Sequence, residues 1–229
     1  MVTSNQLPGA PDLSHKQLII FDWDGTLMDS VGLIVRVLLK VADAHNLALT
    51  PEAAKSIIGL SLHTAMQELF PHEGDKWNQL VTDYQEQYRA HLGDEQLFDG
   101  VIPMLVQLKQ AGYTLAVATG KSRAGLDRVL KLFALEELFA ATRTADEARS
   151  KPDPDMLEQI LSELHFTAEQ SVMIGDSSLD IHMANAAGID ALGVASGVLG
   201  FDQLEKLDTV ANAMTVTDFA KSFKSSQLQ

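Results

Sequence analysis

The stretch QLIIFDWDGT, Gln17 to Thr26, decides how the rest of the chain is read. Its first half is a short unbroken apolar run, the pattern of a strand buried on both faces of a parallel sheet. Its second half is a pair of carboxylates, Asp22 and Asp24, followed by Gly25, whose missing Cβ lets the chain turn. Two later runs repeat the arrangement. Leu115 to Ala118 ends at Thr119 and Gly120, and Ser171 to Ile174 ends at Gly175 and Asp176. Each gives way to a polar turn and a helical pattern. Ser122 is placed to cap a helix carrying Leu126, Val129, Leu130 and Phe133, and the run after Asp176 carries Ile181, Ala184 and Ala187 before Gly188 stops it. Helix-period sequence from Asp155 to Leu164 and a further apolar run, Ala191 to Val194, continue the alternation. The expected fold is α/β, an open, doubly wound parallel sheet.

Between the first strand and Leu97 there is only helical periodicity: Leu33, Val37 and Val41, then Leu62, Met66 and Leu69, then Trp77, Leu80, Val81, Tyr84 and Tyr88. So long a block exceeds an ordinary crossover and predicts an inserted helical cap over 29–94, within a core formed by 17–28 and 95–229. Residues 1–16 read as a flexible N-terminal tail. The cap would stand over the carboxyl end of the first strand, where ligands bind on doubly wound sheets. Trp77, Tyr84 and Tyr88 read as its own apolar stripe. Its loop Gly59, Leu60 and Ser61 is expected to face the substrate, because a glycine between helices lets a turn come close; the alternative is a plain helix connection with Ser61 as N-cap.

Composition removes several classes of function. A net charge of -14 repels phosphate backbones, so nucleic acid is not an expected partner, and any phosphate site must bring its own local positive charge. The absence of cysteine excludes disulfides, zinc–thiolate centres and thiol nucleophiles, and is consistent with a reducing cytoplasm. The first sixteen residues lack the basic start and apolar run of a signal peptide. No apolar run approaches the roughly 20 residues that span a bilayer. The expectation is a soluble, cytoplasmic protein without a membrane partner, acting as a monomer or homodimer.

In a parallel sheet the strand ends converge, bringing together Asp22 and Asp24, Thr119 and Gly120, Lys151 before Pro152, and Asp176 with Asp180. Singly, each has an ordinary structural reading as a turn, a cap or a solvated lysine. In this order behind buried strands they suit phosphoryl transfer, which needs an in-line nucleophile and positive charge around the equatorial oxygens. Asp22 is the candidate nucleophile. A carboxylate cannot approach a phosphate unless a cation neutralises both, and Mg²⁺, which prefers oxygen donors, suits Asp22 and Asp176, with Asp180 supporting it. Asp24 is the candidate acid, and later base, at the leaving oxygen. Thr119 and the Gly120 N–H at a helix start are expected to bind phosphate oxygens, and Lys151 to hold Asp22 and the phosphate together.

These segments, DWDGT at Asp22 to Thr26, ATG at Ala118 to Gly120, KPDP at Lys151 to Pro154 and GDSSLD at Gly175 to Asp180, resemble the four motifs of the haloacid dehalogenase-like hydrolases. The small helical insert is similar to that of the phosphoglycolate phosphatase-like branch. The resemblance implies Asp22 as nucleophile, Asp24 as acid and base with its backbone carbonyl on Mg²⁺, and Asp176 and Asp180 at the metal. Asp24 argues against a dehalogenase, since a halide needs no proton. The implied activity is hydrolysis of a small phosphorylated metabolite, 2-phosphoglycolate first, through a phospho-aspartate. A sugar phosphomutase or a pyrophosphatase on the same fold is the alternative, and a non-catalytic phosphate- and metal-binding module a further one.

Overall fold

The computed structural model describes residue 13 and residues 15–91 and 93–223, so most of the expected tail lies outside the described residues. Two residues inside that stretch are anchored. Leu13 is buried in the core, and the buried ammonium of Lys16 donates to the Glu169 carbonyl and pairs with Asp190, each at 2.8 Å.

Six strands form one parallel sheet: β1 (Leu18–Phe21), β2 (Thr114–Thr119), β3 (Ala141–Thr144), β4 (Ser171–Gly175), β5 (Asp190–Val194) and β6 (Ala211–Ala213). Their order is β3-β2-β1-β4-β5-β6. The chain winds outward from β1 to β3, then returns to the other side of β1 and winds outward again. The order therefore reverses between β1 and β4, and the crevice at a reversal is where doubly wound sheets bind ligands. Register explains the core. Ile19 lies level with Leu115 and Val172, and Phe21 with Val117 and Ile174, so one face presents rows of large apolar side chains. Leu18 and Ile20 point the other way, with Ala116, Ala118 and Met173.

Helices cover both faces. α5 (Val101–Gln110) and α6 (Arg123–Leu132) pack on the first, while α7 (Asp155–Leu164) and α8 (Ser178–Ala186) pack on the second. The short α9 (Phe201–Leu204) lies by β5 and β6. The block after β1 is helical: α1 (Val31–Ala44), α2 (Pro51–Ser56), α3 (Leu62–Leu69) and α4 (Trp77–Arg89). They enclose a separate apolar cluster in which Leu33, Val37, Val41, Met66 and Leu80 are buried and Trp77, Tyr84 and Tyr88 are partly buried. Leu179 of α8 and Val198, in the loop after β5, pack against that same cluster, so the helical block leans on the strand ends.

Candidate active site

β1 delivers Asp22 straight from its last residue, and the Asp22 N–H donates to the Ile174 carbonyl at 2.9 Å, locking it beside β4. Asp176 follows β4 directly. Asp180 lies in the first turn of α8, where its carboxylate accepts from the N–H and Oγ of Ser177 at 3.1 and 2.6 Å, a reciprocal cap. Asp22, Asp176 and Asp180 are all buried, and they offer carboxylate oxygens within 4.8 Å of one another. Lys151 reaches the cluster from the loop before α7. Its fully buried ammonium donates to Oδ1 of Asp22 and Oδ1 of Asp180, both at 2.6 Å.

Three carboxylates against one ammonium leave excess negative charge out of water. Burial raises the Asp22 carboxyl well above the ordinary value; Lys151 opposes the shift, and Asp180 and Asp176 add to it. Asp176 is pushed up to about 7, by burial first and Asp180 second, against hydrogen bonds from the Val198 N–H (2.7 Å) and the Thr26 hydroxyl (2.9 Å). Burial alone would depress the Lys151 ammonium, but Asp180 and Asp22 reverse this and hold it above the usual lysine value. A hard divalent cation fits such a set: every donor is oxygen, and one cation relieves the excess charge. The oxygens of Asp176 point at Gly25, which has φ of +87°, and at Gly197; a Cβ on either would stand 2.4 or 1.9 Å from Asp176 Oδ2.

Asp24 has different company. The Ser30 hydroxyl donates to its Oδ1 at 2.6 Å, and the Lys121 ammonium lies 2.7 Å from Oδ1 and 3.0 Å from Oδ2. Asp22 pairs with Lys151 while Asp24 pairs with Ser30 and Lys121, so the two aspartates serve separate partners although only Trp23 lies between them. Tyr84 and Tyr88 of α4 reach the same region: burial, then the charge of Asp24, holds both phenols well above their ordinary value. Thus the aromatic stripe does build the cap's interior, and its end also lines the site.

Thr119, fully buried, accepts the Lys121 N–H on its hydroxyl at 3.2 Å. Gly120 is not at a helix start as the sequence reading had it. Ser122 takes the cap position of α6, accepting the Gly125 N–H, which leaves Gly120 in the preceding loop. There it meets the helical block: a Cβ on Gly120 would stand 2.4 Å from the Gly59 carbonyl oxygen and 2.7 Å from that of Leu60. Ser61 takes the N-cap position of its alternative reading. Its hydroxyl caps α3, accepting the Thr64 N–H at 3.1 Å, and its N–H donates to Ser150 Oγ, next to Lys151, at 2.9 Å. The sequence reading missed Lys121, Ser30 and the loop Ser196, Gly197 and Val198. That loop follows the carboxyl end of β5, and Lys121 follows Thr119-Gly120 directly, so the strand-end rule that found the other groups pointed at both.

The model of the haloacid dehalogenase-like hydrolase family matches residues 19–194. Among curated proteins, the tyrosine-protein kinase PtkA of Mycobacterium tuberculosis is 34% identical over 212 residues, covering 90% of this chain and 72% of that one. The probable phosphatase IndB of Dickeya dadantii is 34% identical over 197 residues, covering 83% and 86%. A phosphoglycolate phosphatase of Aliivibrio fischeri is 32% identical over 192 residues, covering 79% and 85%. Among solved structures, a hydrolase from Pseudomonas syringae has the same fold, with a TM-score of 0.82, 23% identity and coverage of 89% and 96%.

Proposed function

This chain belongs to the haloacid dehalogenase-like hydrolases, and from that premise we propose that it is a Mg²⁺-dependent phosphatase of a small phosphomonoester, with 2-phosphoglycolate as the favoured substrate. The observation that carries this reading is the division of partners between Asp22, buried against Lys151, and Asp24, held apart by Ser30 and Lys121. Phosphomonoester hydrolysis asks for two carboxyls with two roles. The phosphatases among the relatives support the reaction class, and the phosphoglycolate phosphatase among them supports the substrate.

In the first step an Asp22 oxygen bonds to phosphorus as the ester P–O bond breaks, and Asp24 gives its proton to the departing oxygen. In the second, Asp24 takes a proton from water, whose oxygen attacks phosphorus and frees Asp22 and inorganic phosphate. Lys151, Thr119 and the Gly120 N–H orient the phosphate oxygens. Mg²⁺, held by Asp22, Asp176 and the Asp24 carbonyl, would neutralise the charge gathered between carboxylate and phosphate. Asp180 is already engaged by Lys151 and Ser177, so its part is to fix Lys151 and to support the metal indirectly.

The test is a phosphate-release panel with and without Mg²⁺, containing 2-phosphoglycolate, pyrophosphate, glucose 1-phosphate and p-nitrophenyl phosphate. The highest kcat/KM is expected for 2-phosphoglycolate, lost on chelation and regained with Mg²⁺. Isomerisation of the sugar phosphate without phosphate release would replace the reading with a mutase. Transfer of label from ATP to tyrosine, faster than any phosphate release, would replace it with a kinase like the PtkA relative.

A further inference from the structure

Two ammonium groups lie on the aspartates of the site, and they are differently committed. Lys151 is clamped between Asp22 and Asp180 with no exposure. Lys121 stands on Asp24 alone, covering both of its oxygens, with 10% of its side chain exposed. Its ammonium also lies over the ring of Tyr88, 5.5 Å from the centroid, within the range of a cation–π contact. Tyr88 belongs to the helical block and Lys121 to the core, so this pair stands where the two meet.

The arrangement conflicts with what Asp24 must do. To protonate a leaving oxygen, one Asp24 oxygen has to come within about 3 Å of it. While Lys121 covers both oxygens, neither faces the leaving group. The lysine must move off, and a buried ammonium leaves one carboxylate at low cost only for another anion. A neutral leaving group offers none. An anion carried on the leaving group does, and the flexible four-carbon stem of a lysine lets the ammonium swing to it along the Tyr88 face. Its reach sets a limit: the anion must lie within a few atoms of the ester oxygen.

We propose that Lys121 determines specificity by binding a second anionic group, a carboxylate or a second phosphate, on the leaving-group side of the substrate, and that this anion draws Lys121 away and frees Asp24. The inference rests on the phosphatase reading above and narrows its substrate class to small, doubly anionic phosphate esters or anhydrides. It also answers the charge problem of a chain at -14, since a doubly anionic substrate needs a cation on each side of the scissile bond.

The experiment compares the parent, Lys121→Met and Lys121→Arg on three substrates with Mg²⁺: 2-phosphoglycolate, pyrophosphate, and 2-hydroxyethyl phosphate. The last has the same chain length as 2-phosphoglycolate but a hydroxyl in place of the carboxylate. Both alkyl esters need the same proton from Asp24, so any change common to them reports the effect of Lys121 on Asp24 itself. The difference between them reports recognition. Lys121→Met should lose on the order of 10- to 100-fold more kcat/KM on 2-phosphoglycolate than on 2-hydroxyethyl phosphate, the magnitude of one charge-assisted hydrogen bond, with the excess in KM. Lys121→Arg should recover part of it. A larger selective loss on pyrophosphate than on 2-phosphoglycolate would identify a second phosphate as the anion Lys121 takes, and the reverse a carboxylate. Equal losses on all three substrates overturn the inference and leave the phosphatase reading standing. Absence of phosphate release by the parent from any of them overturns both. The Arg variant keeps the charge, so it decides the matter if the Met variant does not fold.

Discussion

Lys151→Met isolates the electrostatics of the catalytic cluster. The ammonium it removes is fully buried and sits 2.6 Å from each of two buried carboxylates, Asp22 and Asp180, with Asp176 close by. Taking one partner out of a buried ion pair leaves charge without compensation and costs about 3–5 kcal/mol. Against a total stability of about 5–15 kcal/mol, that is a large fraction. The same cluster predicts how to relieve it. Asp180→Asn removes one of the stranded charges while an amide oxygen can still accept from Ser177. The double variant should therefore lose less than the sum of the two single losses, by about 1–3 kcal/mol. The assay is urea denaturation in EDTA at constant pH, reading the midpoint at an unchanged m-value. A loss below about 1 kcal/mol for Lys151→Met, or strict additivity in the cycle, would refute the picture of a lysine holding apart two buried carboxylates.

Asp22→Asn should abolish turnover of every substrate, whereas Asp24→Asn should lose about 10²–10⁴-fold on alkyl phosphates yet release about one equivalent of nitrophenol from p-nitrophenyl phosphate before stalling; a rapid-quench trace without a burst, at a rate near the parent's, would remove Asp24 from its role. Asp176 supplies a pH test, because its carboxyl is raised from 3.8 to about 7 in the folded protein, so the fold keeps a proton that the unfolded chain releases. Its contribution to stability is thus present below about pH 4 and lost as pH rises through about 7. In EDTA, Asp176→Asn should gain on the parent over that interval, and Mg²⁺ should close the gap above pH 7; a difference in Tm that does not change with pH would contradict the shift.

How much of this was legible depended on where each signal lies along the chain. β1, β2, β4 and β5 are continuous apolar runs because they lie inside the sheet or next to its centre, buried on both faces, and such strands announce themselves. β3 reads ATRT and is polar at three of its four positions, and β6 has three residues; both are edge strands, whose sequence is freer because one side meets no neighbour. α5 carries buried Val101, Met104, Leu105 and Leu108, a regular helical pattern lying just past the cap boundary. Asp22 and Asp176 were readable because each directly follows its own strand, and Asp180 because it sits in the first turn of the helix after β4; Lys151 lies in the loop between β3 and α7 and was marked by the prolines that follow it. Lys121 and Ser30 are of another kind. Their importance lies in a side-chain contact with Asp24, and Lys121 meets Tyr88 only because the helical block leans on the core. Strand ends fix the groups that every phosphoryl transfer needs. The position of Lys121 after a strand end is visible in the sequence, but its contacts with Asp24 and Tyr88 join the core to the helical block, and no local pattern in either encodes them.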